Sequence, residues 1–172
     1  KTASTIIDRW DSHAFENTAQ YYYIQKPTIQ CDPMMTGYAI VLASGELERV
    51  QAVSMIGSIA AASETPVQVF ATMNGLTAFE KETVESGDFE VAGPAGYAML
   101  ESDGDDVPLF TEQLERAKSL GPLEVYACEM VMDLMDNDLD DYVDVFDDVL
   151  GVSGGVGAFG VGTFDGSMYS VY

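Results

Sequence analysis

A chain of 172 residues, 47% of them hydrophobic, has material for one domain with a substantial core and needs no disulfide staples. Its 29 acidic residues against 7 basic ones give a net charge of -22, which repels polyanions and so excludes nucleic acid and anionic membrane surfaces as partners. No apolar run reaches the roughly 18 residues of a bilayer crossing, and the start, KTASTIIDRW, lacks the charged-then-apolar plan of a secretion signal, so a soluble, cytoplasmic protein is expected.

A disordered chain can carry such a charge, but it would be poor in the aliphatic and aromatic residues that are frequent here. A folded chain this acidic, with four lysines, has the surface expected where concentrated salt screens repulsion, which points to a halophilic source. Two cysteines, Cys31 and Cys128, are too few for a disulfide framework or a thiolate-only zinc site. Both are expected as free thiols in a reducing compartment.

Residues 1–37 hold the single Trp and His and the run Tyr21, Tyr22, Tyr23, without a clean apolar period, and are expected to form an N-terminal arm. Its aromatic side chains, Trp10 and Phe15 among them, are costly to leave in water, so the arm should cover its own domain or a neighbouring subunit. His13 has no Cys or Asp-His pattern around it and reads as a surface or packing residue.

From Tyr38 to Tyr172 one domain is expected. YAIVLAS is continuously apolar, as suits a strand covered on both faces of a parallel sheet. Glu46 to Ser63 follows as a helix with Leu47, Val50, Val53, Ile56 and Ile59 at helical spacing. Pro66 stops it and Val67 to Met73 is the second strand. Asn74 and Gly75 turn the chain into a second helix, Leu76 to Glu85, ended by Ser86 and Gly87. Residues 88–109 read as a long loop with an extended piece at Phe89 to Val91, and loops of this length are often functional. Thr111 caps a helix to Leu120, and Gly121 and Pro122 launch a strand, Leu123 to Cys128, that runs directly into the helix Glu129 to Met135. The acidic stretch Asp136 to Asp148 leads to a fourth strand, glycine-rich Gly154 to Phe164 forms a short packed helix, and Met168 to Tyr172 is the last strand. Strands alternating with helices predict right-handed βαβ units and an α/β fold of three layers, αβα, around a mainly parallel, five-stranded sheet.

Three segments in this pattern, YAIVLASGELERV, VQVFATMNGL and above all VYACEMVMDLMDND, resemble the DsrE/DsrF/DsrH-like family over roughly residues 38–172. The resemblance implies a small α/β protein that assembles into a homo-oligomer, a trimer or hexamer. It also implies a sulfur-trafficking role in which one cysteine carries a persulfide between donor and acceptor proteins, a sulfurtransferase-like activity without a cofactor. Cys128 is the candidate: at the end of a strand and the start of a helix, unpaired amides and the helix dipole favour a thiolate. Glu129 beside it and the acidic protein field oppose that effect. Glu129, Met130, Asn74 and Gly75 are the candidate binding residues around it, and Cys31 is a possible second thiol. The rival reading, from a different class, is a non-catalytic oligomeric scaffold or binding module of the same fold.

Three other patterns carry less. Gly155, Gly157 and Gly160 match G-x-G-x-x-G, but the chain lacks the helix and acidic residue that a dinucleotide site places after it, so packing is the expected role. Asp136, Asp138, Asp140 and Asp147 have spacing similar to a calcium loop, yet Asp141 replaces its turn glycine and Asp147 its bidentate glutamate; a solvated acidic face is expected instead of a metal site. With one histidine, no Ser-His-Asp set is available.

Overall fold

The computed structural model of the chain describes residues 37–102 and 107–151 and the backbone of 167–171, all within the compact unit Pro33–Tyr172. The elements follow in the order β1 (Tyr38–Leu42), α1 (Leu47–Ala62), β2 (Val67–Ala71), α2 (Asn74–Thr77), α3 (Lys81–Ser86), α4 (Pro94–Glu101), α5 (Phe110–Leu120), β3 (Leu123–Cys128), α6 (Glu129–Met135), a 3-10 turn (Leu139–Asp141), β4 (Asp148–Leu150) and β5 (Ser167–Val171). Strands β4, β3, β2 and β1 lie side by side in that order, and β5 adds to the outer side of β1. Among the described strands each of these pairings is parallel. The fold is α/β, as the alternation of strands and helices predicts.

Register divides the sheet into two chemically different faces. Ile40, Val69 and Val125 stand beside one another, and each is at most 1% exposed. With Leu42, Val67, Ala71, Leu123 and Ala127 they make an apolar face. Helix α1 lies on it: a Cβ at Gly57 would touch Leu123 Cδ1 at 3.4 Å. Helix α5 packs beside α1, tied by Ser54 Oγ donating to Gln113 Oε1 at 2.9 Å. The other face carries Ala39, Gln68, Phe70, Glu124 and Tyr126. All five residues of β2 are buried, Gln68 among them, and in the continuously apolar β1 Ala39, Ile40 and Leu42 are buried while Tyr38 and Val41 are half-buried.

Four local expectations are corrected. Helix α1 buries Leu47, Val50 and Val53, but Ile56 and Ile59 are 48% and 67% exposed. The buried side of its later turns is Ser54, Gly57, Ala60 and Ala61, because a helix lying close to sheet and neighbouring helix must present small side chains there. The helix expected over 76–85 is two short ones, α2 and α3, broken at Ala78–Glu80, where Phe79 is pulled into the core. The loop 88–109 contains helix α4: Pro94 occupies its first position, where a missing N–H costs nothing. Glu48 fixes the approach to it by accepting from the Ala92 amide at 2.9 Å. Finally, Thr111 does not cap α5. It lies inside the helix at 7% exposure, and the start is anchored by Phe110, whose ring meets Phe79 and Phe89 edge-on at 5.0 and 5.7 Å.

Candidate functional site

In a parallel sheet, loops collect at the carboxyl ends of the strands, and ligand sites are found there. Here that edge is built from the β1–α1 loop, the β2–α2 turn and the joint between β3 and α6. The first two are locked together by close backbone approach. A Cβ at Gly75 would overlap the Leu42 carbonyl, and one at Gly45 would overlap that of Asn74. Thr72 N–H donates to the Leu42 carbonyl at 2.9 Å and Gly75 N–H to that of Thr72 at 3.0 Å. Between them Met73 has φ 50° and ψ -138°, a conformation L-residues rarely adopt, and its side chain is 51% exposed. Asn74 and Gly75 therefore do belong to the edge, Asn74 exposed and Gly75 buried, but their role there is a tight backbone joint.

Cys128 lies at the strand-to-helix joint that the sequence indicates, as the residue preceding α6. Its side chain does not face solvent: it is 1% exposed and part of the hydrophobic core, and among the described residues its sulfur makes no hydrogen bond. Strand alternation sets this outcome, turning residues 124, 126 and 128 to the same side of the sheet. The neighbours expected to form a site with it point elsewhere, since Glu129 and Met130 are exposed. In the folded chain the Cys128 thiol is therefore enclosed. Cys31 and the glycines 155, 157 and 160 lie outside the described residues.

Part of the acidic run is spent on structure, while Asp140 is exposed. Asp147 Oδ2 accepts from Lys118 Nζ and from the Val125 amide, each at 2.7 Å. Asp138 and Asp141 form a reciprocal capping box on the 3-10 turn, and Asp136 ends α6 in the left-handed conformation. Among the described residues no three His, Cys, Asp or Glu side chains are placed to hold a metal ion.

Two polar clusters were missed by sequence reading. On the second face of the sheet, Glu124 Oε2 accepts from Gln68 Nε2 at 2.8 Å and from the Tyr126 hydroxyl at 3.0 Å. Burial, reinforced by the adjacent Glu124 carboxylate, pushes the Tyr126 phenol well above its ordinary range. In the second cluster Asn137 Nδ2 donates to Glu80 Oε1 at 3.2 Å and to the Tyr142 hydroxyl at 3.1 Å, and an isolated bridge joins Glu80 to Tyr142. Burial raises both acids, and Glu82 and Asp141 add to the rise of Glu80. The available signal was Gln68 and Glu124 interrupting strands that are otherwise apolar; nothing local links Glu80 to residues nearly 60 positions away.

No family model and no curated protein matches this chain. Among solved structures it is similar to a protein of unknown function, MTH1491 from Methanobacterium thermoautotrophicum, with a TM-score of 0.51 at 13% identity over 77% of this chain and 98% of that one. At that identity the likeness concerns the fold alone.

Proposed function

We propose that this chain is a binding module or scaffold on a DsrE-like frame, working through its surfaces as a homo-oligomer and not through thiol chemistry. The observation that carries this reading is the burial of Cys128 at 1% exposure. A persulfide carrier must offer its sulfur to a donor and then to an acceptor, and a sulfur enclosed in the core reaches neither. In this reading the frame has three layers, which fits the burial of Ala39, Gln68 and Phe70 on the sheet face away from α1.

Assembly is supported by α1. Met55, Ile56 and Ile59 form an exposed apolar stripe at 48%, 48% and 67% exposure, an unusual face for a helix already packed on its other side. A second copy fits it best: the stripe carries no charge, so two chains of net charge -22 meet there with least repulsion, and a straight helical stripe can pair with itself about a two-fold axis.

The test is thiol reactivity in a Cys31→Ser background, where Cys128 alone reports. The native chain should alkylate slowly at neutral pH, react fully only in urea, and gain no sulfur by intact mass after polysulfide. Rapid native alkylation with a gain of one sulfur atom, abolished by Cys128→Ser, would overturn the proposal in favour of persulfide carriage.

A further inference from the structure

A cavity of about 300 Å³ lies between α1, α3, α4 and the chain entering α5. Its walls are mainly apolar, from Leu47, Val84, Phe89, Met99 and Leu109, and one buried amide, Gln51, lies among them. Gln51 is 2% exposed. Its Nε2 donates to the Pro108 carbonyl at 2.9 Å, which fixes the orientation of the amide. The same carbonyl accepts from Gln113 Nε2, also at 2.9 Å. Gln51 Oε1 has no donor among the described residues. The sealed and unpaired side-chain oxygen found among them is Glu48 Oε2, so the Gln51 oxygen still meets open space, and the space that Gln51 lines is this cavity. An acceptor that no protein group satisfies, open only to this cavity, gains a partner when a bound molecule supplies a donor.

We infer that the cavity binds a small, neutral, largely apolar molecule carrying one O–H or N–H group, which it donates to Gln51 Oε1. The volume is at the small end for ligand pockets. The apolar walls select the body, and Gln51 selects a donor. A carboxylate head is rejected twice: it offers no proton to the amide oxygen at neutral pH, and the exposed Glu85, Asp88, Glu90 and Glu101, each next in sequence to a lining residue or one removed from it, repel anions. A cationic head is disfavoured because no carboxylate is among the lining residues to pair with it where it would be desolvated. This inference rests on the binding-module reading and gives it a ligand class.

Indole and octanoate, titrated into the full chain by calorimetry, distinguish the outcomes. Indole should bind saturably and octanoate should not. Gln51→Leu, which keeps the volume, should weaken indole about tenfold, the value of roughly one neutral hydrogen bond. Met99→Trp, which fills the space from the partly exposed α4, should abolish binding while circular dichroism stays unchanged. No indole binding, equal binding of octanoate, or an unchanged affinity in Gln51→Leu would overturn the inference. Because these readouts do not involve Cys128, their failure is separable from that of the thiol test.

Discussion

Glu80 shows how a single side chain can work against the fold that holds it. It is needed as an acceptor for Asn137, yet burial and the nearby carboxylates of Glu82 and Asp141 raise its pKa from the ordinary 4.5. Between 4.5 and that raised value the folded chain keeps a proton that the unfolded chain has released. The folded state then binds more protons, and stability falls as pH rises through this window. Glu80→Gln retains the acceptor and removes the charge. Urea unfolding should show the variant more stable than its parent at pH 7, with the difference closing below about pH 4.5; a gap independent of pH would mean that the charge of Glu80 does not oppose folding. At this scale the sequence was a partial guide: Asp147 could be read as a calcium ligand, but only the folded chain brings Lys118 and the Val125 amide to it.

Among elements, the decisive feature is how closely the β1–α1 and β2–α2 connections approach. Gly75 sits against the Leu42 carbonyl with no room for a methyl group, so Gly75→Ala must push the two connections apart. Its expected cost is about 1–3 kcal/mol in urea unfolding, the range of overpacking in a well-packed interior. A neutral result would show that the edge is looser than its backbone hydrogen bonds imply. Helix α1 departs from expectation for a clear reason. Pattern reading rewards bulky apolar residues, whereas α1 buries Gly57, Ala60 and Ala61 where close approach matters and leaves Ile56 and Ile59 outside. Residues 88–109 read as a loop, although Pro94 is a suitable first residue for α4.

At the scale of the whole molecule, charge dominates. The described side-chain ion pairs are Lys118 with Asp147 and Arg49 with Glu46, few against a net charge of -22. Most carboxylates therefore repel one another across the surface, and salt should relieve that repulsion by shortening the screening length from about 10 Å at 0.1 M to about 3 Å at 1 M. The melting temperature should rise steadily with KCl into the molar range. A melting temperature insensitive to KCl would remove both this account of the surface and the inferred halophilic source.

Composition, apolar runs and breaker residues determined that the chain is an acidic α/β protein, placed β1, α1, β2, β3 and α6 within a few residues of where they lie, and put Cys128 at a strand-to-helix joint. These are local properties, written in periods of two and 3.6 residues and in the turn chemistry between them. Tertiary structure alone decided that the Cys128 sulfur is enclosed, that Glu124 meets Gln68, that Glu80 meets Asn137, and that Gln51 turns an unpaired oxygen toward a cavity. Each depends on strand register or helix packing, which join residues tens of positions apart.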